Sequence, residues 1–202
     1  MCITATKGEA GSQDEKRWPP ETIAETRAEE LITALGILGV TEHRWLGYID
    51  GRCHEIDDAE AIDRIAAIVE EVAPDSVFTF GPDGDTGHLD HIAVSRWTTK
   101  AFERAATPNA KLFYPTVTPE WAERYVPILR PLNVYGDRED LPVITPKDNL
   151  GVDFTLEDDL MDLKFKALEA QVSQTEGLIG ATGEEFYRAL LKDEMFRLAA
   201  TR

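Results

Sequence analysis

The strongest constraint on the fold is an alternation along the chain, in which short β-prone runs are separated by spacers of helix length and helix periodicity. Cys2-Ile3-Thr4-Ala5-Thr6 is the first β-prone run, and residues 7–21, broken by Gly8, Gly11, Ser12, Pro19 and Pro20, read as a loop. Between residues 23 and 38 the apolar positions Leu31, Ala34, Leu35 and Leu38 recur at helical spacing, and Gly39 stands where a helix would stop. Residues 43–49 fit a second strand. Asp57 and Asp58 are N-cap candidates for a helix whose apolar face is Ile62, Ile65, Ala66, Val69 and Val72, ended by Pro74. Ser76-Val77-Phe78-Thr79-Phe80 has the near-continuous apolar character of a buried parallel strand. A glycine-rich loop (81–87), a helix (88–105) and another strand (111–114) follow. Residues 115–146, punctuated by Pro115, Pro119, Pro127, Pro131, Pro142 and Pro146, read as irregular or only locally helical. A late strand at 151–154 and two helices, at 156–176 and 184–199, close the chain. Strands separated by helices pair in parallel, which gives an α/β layered fold. Neither a repeat nor a linker interrupts the pattern, so residues 1–202 read as a single domain.

Composition excludes several classes of partner. The formal charge of -17 opposes nucleic acid and anionic membranes, both of which need basic surfaces. Its bland meaning is solubility, and a high-salt habitat would produce the same excess. No run approaches the length of apolar sequence a membrane span needs. Two cysteines, Cys2 and Cys53, cannot make a disulfide framework and match no thiolate metal motif, which points to a reducing cytoplasm. The sequence leaves a homo-oligomeric state open.

The chemistry concentrates in Gly81-Pro82-Asp83-Gly84-Asp85-Thr86-Gly87-His88-Leu89-Asp90-His91. This stretch joins a strand to a helix, so it belongs at the carboxyl edge of the sheet, where open α/β folds place ligands. His88 and His91 are three apart and share a face in a first helical turn. Neutral imidazoles suit zinc, and Asp90 between them could orient one ring. The competing explanation is helix capping and surface polarity. A nucleotide-binding loop is disfavoured, because Gly81, Gly84 and Gly87 do not follow the Gly-x-Gly-x-x-Gly spacing.

Gly-Pro-Asp-Gly-x-x-Gly-His-x-Asp-His resembles the second signature of the PIG-L/LmbE-like deacetylases. Other stretches resemble that family in order: Thr6-Lys7-Gly8-Glu9-Ala10-Gly11; Arg27-Ala28-Glu29-Glu30 with Ala34 and Leu38-Gly39; and Leu46-Gly47-Tyr48-Ile49-Asp50-Gly51. The last is Lys166-Ala167-Leu168-x-Ala170-Gln171-x-Ser173-Gln174, in which Gln171 stands where His is usual. Membership implies a Rossmann-like three-layer fold with a mostly parallel sheet. It also implies zinc-dependent hydrolysis of the N-acetyl group of an N-acetylglucosamine-type conjugate, releasing acetate and a free amine. By the same resemblance His91 is a zinc ligand. His88 is the group that stabilises the oxyanion or protonates the leaving amine, with Asp90 orienting it. Glu9, Arg27 and Asp50 fall on substrate-contacting positions. Without the resemblance, those three read as a loop charge, a helix-surface charge and a turn former before Gly51. Thr86 stands where some members carry a Tyr.

The family's first signature, His-Pro-Asp-Asp-Glu, supplies two zinc ligands and the general base, and no His-Pro dipeptide occurs here. The expectation is therefore of a domain lacking the family's first strand–helix unit, with an incomplete Zn2+ site. His43, His54, Asp50, Asp83 and Asp85 are the other donors the sequence offers. The alternative is a catalytically inactive paralogue that binds a sugar ligand.

Overall fold

The computed structural model describes residues 1–12 and 14–202. Its strands are β1 (Cys2–Thr4), β2 (His43–Trp45), β3 (Ser76–Phe78), β4 (Lys111–Pro115), β5 (Val152–Thr155) and β6 (Asp193–Thr201). Its helices are α1 (Ile23–Ile37), α2 (Asp58–Val72), α3 (Leu89–Ala105), α4 (Pro119–Leu129), α5 (Asp158–Glu169), α6 (Val172–Thr182) and α7 (Glu184–Leu190). The chain forms two compact units: Met1–Arg52 with Thr155–Asp193, and Cys53–Phe154 with Glu194–Arg202.

The first unit is built on a β-α-β crossover. β1 and β2 pair in parallel with Cys2 opposite His43, and the ladder continues beyond them through Leu46 N–H to Thr4 O (2.9 Å) and Tyr48 N–H to Ala5 O (3.0 Å). The connecting helix α1 packs against α5 and α6. It stops as its sequence demands. Gly39 takes φ +71°, its N–H reaches Gly36 O, and Val40 N–H reaches Leu35 O, the paired bonds of a Schellman cap. The buried face of α1 is Ile23, Arg27, Glu30, Ala34 and Leu35, while Leu38 lies exposed. Two charged residues thus occupy positions that an apolar stripe would fill.

In the second unit α2 packs on α3. Asp57 caps α2, accepting Ala59 N–H at 3.0 Å, and Asp58 accepts Arg96 Nε (2.7 Å) and Nη2 (2.6 Å) and Trp97 Nε1 (2.7 Å) from α3. The four-stranded sheet has the order β3-β4-β6-β5; β3 and β4 are parallel, and β4 and β6 antiparallel. Leu112, Phe113 and Tyr114 of β4 are buried in its centre.

Three elements differ from what the sequence predicts. Residues 184–199 do not form one helix: α7 ends at Leu190, and β6 follows and pairs with β4. Met195, Phe196 and Leu198 fit either period, and the unfilled edge of β4 decides for strand. Residues 156–176 divide into α5 and α6, and Gln171 O accepts the N–H of Gln174 and of Thr175 at the start of α6. The Ser76–Phe80 run is not buried throughout, since β3 is an edge strand and Phe78 is 52% exposed, keeping contact through rings stacked at 5.0 Å on Phe113.

Candidate functional site

The loop between β3 and α3 is shaped by its glycines. Gly84 has φ +75°, and a Cβ there would lie 2.8 Å from Ile92 Cγ1 and 3.0 Å from His88 O, so no side chain fits without displacing the start of α3. Gly84 N–H bonds to Gly81 O at 2.9 Å, and the Asp83 carboxylate accepts Asp85 N–H at 2.7 Å. Asp85 itself adopts φ 63°. Burial, and after it the charge of Asp83, raises the Asp85 carboxyl pKa above its ordinary value.

This turn delivers two histidines with opposite chemistry. His88 is the N-cap of α3, and its Nδ1 accepts Asp90 N–H at 3.2 Å. A ring nitrogen that accepts carries the lone pair, so the neutral ring holds its proton on Nε2. His91 stands one turn on, with Nδ1 3.0 Å from Gly84 O. A carbonyl oxygen only accepts, so Nδ1 carries the proton and Nε2 the lone pair. Phe80 stacks on the His91 ring at 4.0 Å with 4° between planes, and the two imidazole centroids are 5.1 Å apart. His88 is exposed and His91 half-buried. One ring thus carries its proton on Nε2, and the other carries its lone pair there.

Asp90 is buried, and its Oδ1 accepts Cys53 N–H at 3.0 Å. It orients His88 through its backbone N–H, a contact the sequence did not signal.

Glu9, Arg27 and Asp50 meet in the first unit. Asp50 N–H donates to Glu9 Oε1 (3.1 Å), while the Asp50 carboxylate accepts Ala10 N–H (3.0 Å) and the Thr6 hydroxyl (3.3 Å). The loop after β1 and the turn after β2 are thereby tied together. Glu9 Oε2 is buried with no hydrogen-bond partner among the described residues, so the cluster keeps an acceptor for a hydroxyl donor. Arg27 donates to the Gly8 and Gly11 carbonyls, the latter at 2.8 Å, and to Ser173 Oγ at 3.4 Å. Burial lowers the guanidinium's pKa, and the charges of Asp50 and Glu30 oppose that shift. Glu30 accepts Ser173 N–H (2.9 Å) and Oγ–H (2.6 Å). The Arg-x-x-Glu and Ser-Gln stretches therefore knit α1 to α6 and hold the loop that carries Glu9.

Among the described residues no group of three or more His, Cys, Asp or Glu is placed to hold a metal ion. A hydrolytic zinc centre takes three protein ligands and an open position. His91 is one candidate; of the other donors, Asp83 accepts Asp85 N–H in the loop that holds His91, His43 Nε2 is 2.9 Å from Thr4 Oγ1, and His54 Nε2 is 4.0 Å from Glu55. These residues alone do not fit a complete zinc centre. Among them, too, no helix is long and apolar enough to cross a membrane.

The sequence model of the PIG-L family, described as GlcNAc-PI de-N-acetylase, matches residues 1–102. A 1D-myo-inositol 2-acetamido-2-deoxy-alpha-D-glucopyranoside deacetylase of Kineococcus radiotolerans is 36% identical over 139 residues, 55% of this chain and 38% of that protein. The protein of the same name from Saccharomonospora viridis is 30% identical over 202 residues, 85% of this chain and 73% of its own length. The chain thus spans from well under half to about three quarters of these two relatives. A solved deacetylase of the teicoplanin biosynthetic pathway shares the fold at TM-score 0.65 and 20% identity, over 99% of this chain and 85% of that one.

Proposed function

The chain belongs to the PIG-L family, and on that premise we propose that its 202 residues are a deacetylase domain that removes the N-acetyl group from an N-acetylglucosamine-type conjugate. The observation that carries this reading is the pair of contacts at the start of α3 that set His88 Nδ1 against the Asp90 N–H and His91 Nδ1 against the Gly84 carbonyl. In the hydrolysis, water adds to the acetyl carbon, the C–N bond breaks, and acetate and a free amine leave. The His88 Nε2–H is the hydrogen-bond donor this requires: it stabilises the oxygen of the tetrahedral adduct while keeping its proton. Asp90 sets that tautomer through its N–H. His91, through Nε2, is the residue we assign to Zn2+, as one ligand of a centre that the described residues do not complete.

Substrate binding falls to Glu9 and Asp50, whose carboxylates suit sugar hydroxyls, with Glu9 Oε2 the acceptor left open. Arg27 supports binding as a positioning residue, since its guanidinium is engaged by the carbonyls of the Glu9 loop. Cys2 and Cys53, which form no disulfide, favour the cytoplasm.

A second reading, a sugar-binding domain without hydrolysis, is favoured by the lack of a three-donor group alongside an open Glu9. Incubation with N-acetylglucosaminyl-inositol and added zinc separates the two. Equimolar acetate and amine support the enzyme, a bound but unaltered conjugate supports the binding domain, and absence of binding contradicts both.

A further inference from the structure

The proline-rich segment that the sequence left without a role lies against the histidine loop. A Cβ on Gly87, the residue before His88, would sit 3.0 Å from Arg138 Cγ, 3.4 Å from Leu141 Cδ1 and 3.6 Å from Arg138 Nη1. Gly87 takes φ +82°, and its missing side chain leaves room for this approach.

The segment is fastened at both ends. Arg130, just beyond α4, donates to the carbonyls of Arg138 (3.2 Å), Glu139 (3.1 Å) and Leu141 (2.8 Å). Its guanidinium also lies 6.0 Å from the Tyr135 ring centroid, and Tyr135 is buried. Downstream, Val117 N–H bonds to Val143 O (3.1 Å), Thr145 N–H to Val117 O (2.9 Å), and the buried Thr116 and Thr145 hydroxyls meet at 2.8 Å. Residues 134–145 are thus a fixed wall beside Gly87, the residue before His88.

Arg138 stands on that wall with one edge committed. Its Nε and Nη2 bond to Asp140 Oδ1 (2.7 Å) and Oδ2 (2.6 Å), a fork that holds the guanidinium plane. Among the described residues the guanidinium bonds to Asp140 alone, so the Nη1 edge, on the Gly87 side, keeps its donors. The ion pair is neutral as a unit and stands beside the acidic Asp83–Asp85 turn, which disfavours an anionic ligand. An uncharged oxygen acceptor is what this fork suits.

We propose that Arg138, held by Asp140, is a specificity-determining residue that donates from Nη1 to the oxygens of a neutral polyhydroxylated ring joined to the N-acetylglucosamine. The proposal rests on the deacetylase reading and identifies which part of the substrate this wall reads.

The test is calorimetric binding of N-acetylglucosaminyl-inositol, its phosphorylated analogue and free N-acetylglucosamine to the full chain. Wild type is expected to prefer the neutral two-ring conjugate over the monosaccharide. Arg138→Ala should weaken the two-ring conjugate about tenfold, as for one lost hydrogen bond to a charged donor, and leave the monosaccharide unchanged. Arg138→Lys, which keeps charge and stem but loses the fork, should fall closer to Ala than to wild type, and unchanged circular dichroism confirms folding. Equal weakening of both neutral ligands, no weakening, or preference for the phosphorylated analogue would overturn the assignment to Arg138 alone. A wild type that binds none of the three would overturn the deacetylase reading with it.

Discussion

His88 and His91 lie three residues apart on one helical turn, yet the backbone assigns them different protons. Asp90 N–H donates to Nδ1 of the first, and Gly84 O accepts the hydrogen bond from Nδ1–H of the second. Long-range 1H–15N correlation spectra at pH 8 should show the Nε2–H form for His88 and the Nδ1–H form for His91. The same tautomer for both rings would remove the division of labour proposed for them. The motif's residue types were legible in the sequence, but which nitrogen faces outward was not, because that depends on the turn set by Gly84. Asp85 provides a second check at this scale. Its carboxyl pKa is raised in the fold, chiefly by burial, so the charged form destabilises the folded state at neutral pH. That penalty is relieved as pH falls through the folded pKa toward the ordinary aspartate value near ~3.9. Asp85→Asn, which also tolerates positive φ, should therefore raise Tm at pH 7 and lose its advantage near ~pH 4. An advantage that does not change with pH would mean that charge is not the cause.

At the scale of elements, α1 acts through charged residues on its buried face. Arg27 and Glu30 fall on that face, where one clamps the Gly8–Gly11 loop and the other caps the start of α6 at Ser173. Arg27→Ala removes charged bonds to two carbonyls and should cost on the order of 3 kcal/mol in urea unfolding. Because the loop carries Glu9, the variant should also raise KM for a sugar conjugate more than it lowers kcat. A pure kcat effect would argue against positioning. Helix ends were readable where local chemistry sets them, as at Asp57 and Gly39. β6 was not, since Met195, Phe196 and Leu198 become a strand only because β4 offers an edge far away in sequence. Arg138 gave no signal of its own, because its position beside Gly87 comes from the path of residues 130–145.

For the whole molecule, the alternation of strands and helices was enough to indicate an α/β chain with parallel pairings. It did not reveal the antiparallel entry of β6 or the division into two compact units. The formal charge of -17 disfavours polyanionic partners, a repulsion that a neutral sugar conjugate does not meet. Among the described residues no three-donor group is placed to hold a metal, and the expectation is that the fold does not depend on zinc. Dialysis against a chelator should leave Tm unchanged, and a large drop would reveal a metal that holds the fold together. The central claim concerns chemistry at His88, and single-turnover acetate release from N-acetylglucosaminyl-inositol, with zinc supplied, tests it most directly. Wild type should release acetate, and His88→Ala should do so at least ~100-fold more slowly under the same zinc supply. A wild type that binds the conjugate without releasing acetate, or a variant as fast as wild type, would contradict the account.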